Sequence, residues 1–304
     1  MARIYATCSR CGNDFLVTDM VGTTSAKRGG RVEYMCRRCA TQNESYHTSN
    51  TKVLGTAKVN QVRVGIEFES SYSNDYARNV MFEYGFIPTH DASLSSDSGE
   101  RRYGWDGTTC EYVSGIMQGL NRASKFCLST DKLIQDGSLK VNSSCGTHFH
   151  VSINNMEDER GNKTYMGYIR RFYHSLFIPL CEEMKAHPEA TKELFGRYFT
   201  SYAKAISLST TQESHSDRYY FINCLANNNI EFRLNKFVSG AQYQNLMKME
   251  VEMTKAIVNN FCEHFMDTEW DRNRYEKRTH YRKHKAQVAA QKLVKIFRKY
   301  ANIE

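Results

Sequence analysis

The reading of this chain turns on QVRVGIEFES, residues 61–70. Val62, Val64, Ile66 and Phe68 alternate with Arg63, Gly65, Glu67 and Glu69. Apolar and polar residues alternating with period two predict a strand with one face on a core. The other face ends in Glu67 and Glu69, on the same side and roughly 7 Å apart along the strand. An isolated E-x-E is most often a solvent-facing acidic edge. The neighbouring segments change that reading.

Residues 74–84 predict a helix with Ser73 or Asn74 as N-cap, ended by Gly85. FIPTHDASL, 86–94, returns as a strand and brings Asp91 and Ser93, and TTCEYVSG, 108–115, is a short strand holding Glu111. Residues 116–135 read as a helix. SLKVNSSCGTHFHVSINN, 138–155, reads as a strand with Phe149 and Val151 on one side and His148 and His150 on the other. Helices near 163–186 and 189–205 follow. NNNIEFRLNKF, 227–237, is the last strand, with Ile230, Phe232 and Leu234 facing the core and Glu231, Arg233 and Asn235 facing away. A long helix over 240–265 puts Leu246, Met249, Met253, Ile257 and Phe261 on one stripe.

The strands thus share a design: one apolar side, and one side bearing Glu67 and Glu69, Glu111, His148 and His150, or Glu231 and Arg233. Helices cover the apolar side and leave a sheet lined with carboxylates and imidazoles. Glutamates gathered in one cleft repel one another unless cations lie between them. Carboxylates with one or two imidazoles suit magnesium or manganese, and the arginine suits phosphate oxygens.

The order and spelling of these segments resemble the carboxylate–amine ligase superfamily, specifically its amidoligase branch, common in phage and bacterial genomes. Glutamine synthetase and glutamate–cysteine ligase are more distant relatives. The resemblance rests on Gly65-Ile-Glu67-Phe-Glu69, Asp91-Ala-Ser93, Glu111-Tyr-Val-Ser114, Cys145-Gly-Thr-His148-Phe-His150, Arg218-Tyr219 with Asn223, and Ile230-Glu-Phe-Arg233, and it runs over about 62–265. It implies an α+β fold: a curved, mainly antiparallel sheet with helices on one face, as in the glutamine synthetase catalytic domain. It implies an ATP-dependent reaction that joins a carboxylate to an amine, in a small molecule, a peptide or a protein, through an acyl phosphate.

The resemblance also assigns roles. Glu67, His148 and Glu231 would hold a magnesium that touches the ATP phosphates. Glu69 and Glu111 would hold a second magnesium near the substrate carboxylate. His150 would contact the substrate or the phosphoryl group, and Arg233 with Arg218 would neutralise charge on that group. Ser152 stands where the branch often has aspartate, and Asn229 where the distant synthetases carry arginine. Both positions bear on substrate choice more than on metal binding.

Two segments lie outside the resemblance. Cys8, Cys11, Cys36 and Cys39 form two C-x2-C pairs, the spacing of a tetrahedral four-thiolate zinc site. A zinc ribbon is expected over 1–45, with structural zinc, since four thiolates leave no open position. A linker over 46–61 leads to the catalytic domain, 62–268. Residues 269–304 form a basic helical segment. Between 271 and 304, eleven Lys and Arg face three acids, the whole of the chain's net charge of +8. This segment and the Arg- and Lys-bearing ribbon suit a nucleic-acid contact; a solvated final helix docked on the domain fits the segment equally well.

No run of 18 apolar residues exists, and the N-terminus lacks the apolar core of a signal peptide, so a cytoplasmic protein with reduced thiols and no membrane span is expected. The remaining cysteines read as buried small residues, with Cys145 closest to the cleft. Two other function classes fit the same residues: a two-metal phosphodiesterase or nuclease, and a non-catalytic protein that binds nucleic acid or a partner.

Overall fold

The computed structural model describes residues 5–7, 14–16, 20–24, 32–36, 62–84, 86–89, 94, 109–114, 117–118, 120–153, 169–210, 219–224, 229–262 and 275–304. It mixes helices with antiparallel sheet, as an α+β reading requires. The chain divides into two compact units. One takes 1–51, 65–117 and 132–145; the other takes 52–64, 118–131 and 146–304.

The first unit begins with two antiparallel strand pairs. Strand β1 (Tyr5–Thr7) pairs with β2 (Asp14–Leu16), and β3 (Met20–Thr24) pairs with β4 (Val32–Cys36). Next comes the Gly65–Ser70 part of β5 (Val62–Ser70), then β6 (Tyr72–Ser73), α1 (Asp75–Glu83), β7 (Phe86–Thr89) and β8 (Cys110–Ser114). β8 runs antiparallel between β5 and β7. The apolar face foreseen on β5 is real: Val64, Ile66 and Phe68 are buried, and Tyr112 of β8 is fully buried as well. α1 has the expected cap, since the Asn74 Oδ1 accepts the Ala77 N–H at 2.9 Å. That satisfies one of the amides a helix start leaves unpaired.

Where the sequence predicts a helix from 116, Met117–Gln118 is a short strand (β9), and α2 starts at Asn121 and runs to Gln135. The strand predicted over 138–155 is interrupted. Leu139–Lys140 (β10) pairs with β6. Asn142 then forms a turn, its Oδ1 accepting the Ser144 N–H at 2.9 Å. Such side-chain capture of local backbone competes with strand pairing.

The second unit is built on β11 (Thr147–Ile153), β12 (Ile222–Asn223) and β13 (Ile230–Asn235). All are antiparallel, with β13 between the other two. It holds most of α2 together with α3 (Tyr173–Ala186), α4 (Pro188–Phe195), α5 (Gly240–Cys262) and α6 (Tyr275–Tyr300). α5 packs on β11 and β13. Its Tyr243 meets Phe149 edge-on at 5.6 Å and Phe237 at 4.6 Å, and its hydroxyl bonds the Thr147 hydroxyl. α4 ends ten residues earlier than the sequence suggests because Gly196 adopts φ 74°. A Cβ there would lie 2.5 Å from the Lys236 carbonyl oxygen, so the turn requires glycine.

The basic α6 docks on α3 and α5 through Ala286, Ala289, Ala290, Leu293, Ile296 and Phe297. Burying each of the larger side chains contributes about 1.5–3 kcal/mol. The pairs Arg298–Glu183 (2.7 Å) and Lys299–Glu252 (2.9 Å) add fixed register more than stability. No helix among the described residues is long and apolar enough to cross a membrane.

Candidate functional site

β13 carries the centre of the site. Glu231 is buried, and both its carboxylate oxygens are engaged. Asn223 Nδ2 donates to Oε2 at 2.5 Å, Arg233 Nη1 donates to Oε1, and His148 Nδ1 lies 3.6 Å from Oε1. Strand geometry produces this arrangement. Asn223 of β12 and His150 of β11 both stand directly opposite Glu231, and residues two apart on a strand share a face, which adds Arg233 and His148. Charge-assisted hydrogen bonds to a buried carboxylate are strong. Removing one partner leaves a buried charge uncompensated, at about 3–5 kcal/mol.

Asn229 Oδ1 and His150 Nδ1 are 3.1 Å apart, which fixes the imidazole plane. Arg233 is held from behind: its Nε donates to the Tyr202 carbonyl at 3.4 Å, and its guanidinium lies over the Tyr219 ring, 5.9 Å from the centroid. The edge strand β12 is itself anchored, since Tyr173 Oη donates to the Ile222 carbonyl at 2.5 Å and Arg170 Nε to the Cys224 carbonyl at 2.8 Å. These bonds take carbonyls that a sheet edge would otherwise leave unpaired.

The first unit holds an acidic group. Glu69 stands directly opposite Glu111 in the β5–β8 ladder, and Glu67 and Glu111 offer ligand oxygens within 4.8 Å of one another. Like charges directly opposite in a sheet repel one another. Ser114, the last residue of the Glu111 segment, is structural: its hydroxyl accepts the Ile66 N–H at 2.8 Å.

Hard donors dominate both groups. An ionised carboxylate offers about four lone-pair sites, so Glu231 can hold Asn223 and Arg233 and still ligate an ion. His150 and Glu231 also present ligand atoms within 4.8 Å of one another. Carboxylate oxygen with imidazole nitrogen fits magnesium or manganese.

The structure thus brings His148, His150, Glu231 and Arg233 together in one unit and Glu67, Glu69 and Glu111 in the other. Arg218, Asp91, Ser93, Cys8, Cys11 and Cys39 lie outside the described residues. Of Cys36 only the backbone, at the end of β4, is described.

Asn235 departs from the expected face. The β11–β13 register slips by one residue between Thr147 and Phe149, so that Thr147 pairs with Asn235 while Phe149 pairs with Phe232. Two β13 residues then oppose His148 alone, a β-bulge. A one-residue slip turns a side chain to the other face, and Asn235 sits fully buried beside Glu250 of α5 rather than with Glu231.

Cys127, Cys181 and Cys224 are buried, and burial pushes their thiols up, Cys127 to about 12. They are protonated at neutral pH and unsuited to nucleophilic work. Cys145 is buried too, its thiol 3.6 Å from the Asn142 Oδ1. The resemblance includes Tyr219 and Asn223 in its Arg218-Tyr219 and Asn223 segment without giving either a role, and Tyr202 carries no sequence signal of its own, since it acts through its backbone carbonyl. Neither family models nor curated proteins match this chain.

Proposed function

We propose that the chain is an ATP- and magnesium-dependent carboxylate–amine ligase. The observation that carries the reading is the Glu231 cluster: a buried carboxylate flanked on one sheet face by a fixed guanidinium and two imidazoles. Such a face offers a hard-cation ligand and a phosphate partner side by side. The resemblance of the six segments, Gly65–Glu69 to Ile230–Arg233, supplies the reaction class.

A carboxylate is a poor acyl electrophile, because its leaving group would be oxide. In the proposed reaction a carboxylate oxygen attacks the γ-phosphorus of ATP and ADP leaves. The amine then attacks the acyl carbon, the C–O bond breaks, and phosphate departs with that oxygen while the amine loses a proton. Magnesium would supply charge neutralisation at the phosphates. His148 and Glu231 would be ligands of one ion, and Glu69 and Glu111 of a second. Arg233, joined by Arg218, would bind the transferring phosphoryl oxygens, its guanidinium aimed by the Tyr202 carbonyl and the Tyr219 ring. His150, steadied by Asn229, would touch the substrate or the phosphoryl group. This is positioning and electrostatic work, the usual currency of phosphoryl transfer.

The same proposal places a four-cysteine structural zinc in the N-terminal segment and gives the exposed Lys292 and Lys295 of α6 to a nucleic-acid contact. A polyanion contact of that kind weakens steeply with salt. The test of the reaction is direct. Full-length protein with magnesium, ATP and a mixture of carboxylic acids and amines is expected to release ADP and phosphate only when amines are present. AMP as product, or cleavage of nucleic acid without ATP, would overturn the reading in favour of a different transferase or a phosphodiesterase.

A further inference from the structure

The bulge in β13 has a dedicated partner. Arg233 and Leu234 together oppose His148. In a regular strand, successive carbonyls point to opposite edges, and no single side chain can take both. Here one does: Arg197 Nη2 donates to the Arg233 carbonyl at 2.8 Å and Nε to the Leu234 carbonyl at 2.9 Å. A bulge takes backbone groups out of the ladder, and buried carbonyls need partners. The planar guanidinium fork matches two neighbouring oxygens as a lysine ammonium does not.

Arg197 starts from a fixed base. It follows Gly196, and the end of α4 is tied to the chain leaving β13: the Lys236 N–H donates to the Phe195 carbonyl at 2.8 Å, and Gln242 Nε2 to the Leu194 carbonyl at 2.8 Å. On its other side the guanidinium lies against Gly146, the residue before β11. A Cβ at 146 would be 2.7 Å from Nη2 and 3.3 Å from Cζ. The end of an arginine usually yields to such a contact, but this one is pinned by two hydrogen bonds.

We propose that Arg197 is a positioning residue. By clamping the Arg233 and Leu234 carbonyls it holds the bulge that sets His148 against Glu231 and Arg233, and position 146 is glycine because that guanidinium occupies the place of a side chain. The proposal takes from the preceding section only the premise that His148, Glu231 and Arg233 act together.

The experiment uses the full chain with isotope-labelled histidine, the His148 ring signals being identified by their loss in His148→Gln. Arg197→Lys, Arg197→Ala and Gly146→Ala are each expected to shift or broaden the His148 signals. They are also expected to weaken Mn2+ binding at least about tenfold, as loss of an outer support of a metal site does. A merely structural role predicts a lower melting temperature with those signals and that affinity unchanged, and this result would overturn the proposal. Gly146→Ala removes no hydrogen-bonding group, so it decides the matter if Arg197→Ala fails to fold. Wild-type protein that binds no Mn2+ would sink the metal reading, and the His148 signals would still judge the clamp.

Discussion

The two faces of β13 treat a buried carboxyl in opposite ways. On one face Glu231 is met by Asn223, Arg233 and His148. On the other, Glu250 of α5 borders a small cavity among Leu180, Phe195, Phe221, Phe232 and Met253. It is fully buried, and neither of its oxygens has a hydrogen-bond partner among the described residues; Asn235 is the polar group that most favours its ionised form. Burial pushes the Glu250 carboxyl well above the usual carboxylate range. A carboxylate kept with donors at hand can do chemistry. A carboxyl kept in oil is held neutral and acts on stability instead.

The contrast is broken most severely at Arg233. Arg233→Ala is expected to lower turnover at least about a hundredfold, the loss of about 3 kcal/mol of transition-state stabilisation. It should also destabilise the fold, because Glu231 keeps its burial and loses its cation. Steady-state ADP release and urea unfolding check the two effects. Glu231→Gln should remove activity to a similar degree while unfolding less readily than Arg233→Ala, since the amide carries no charge to leave unpaired.

Glu250→Gln should do the opposite. The folded-state pKa of Glu250 lies above its unfolded value. Its contribution to stability is therefore complete below the ordinary carboxylate range and is lost as pH rises from there towards the folded value. The variant is expected to melt at the same temperature as wild type near pH 4 and a few degrees higher at pH 8. Equal melting temperatures at pH 8 would mean that Glu250 is not held neutral.

Tyr243→Phe leaves the buried Thr147 hydroxyl without its partner. It should cost about 1 kcal/mol in urea unfolding, with a small effect on activity because β11 retains its ladder with β13. The smallest effect is expected at Lys299, whose pairing with Glu252 is solvent-exposed: Lys299→Ala should leave the melting temperature unchanged.

Much of this was legible in the sequence, for physical reasons that differ by residue. The alternation from Val62 to Phe68 and from Ile230 to Leu234 had to be strand, because only period two separates Glu67 or Glu231 from the apolar set. Asn74 announced its helix by its capping chemistry. The bulge left no such mark. The apolar positions Phe232 and Leu234 keep their spacing through it, and the slip shows only in the pairing of Thr147 with Asn235. That is why the alternation puts Asn235 with Glu231 when it belongs with Glu250. Arg197 was hidden for a related reason, since it binds backbone, and backbone partners have no sequence signature. Gly196 is a readable helix stop, and the helix expected to run to 205 ends there.

Under the proposed function, Glu231 and Arg233 serve transfer of a phosphoryl group to a carboxylate, and following oxygen tests it. Full-length protein is given magnesium, ATP, amines and carboxylic acids labelled with 18O in the carboxylate. The released phosphate is expected to carry one 18O per turnover, taken from the carboxylate when the amide forms, and Arg233→Ala should abolish the transfer. Phosphate released without label would contradict the account.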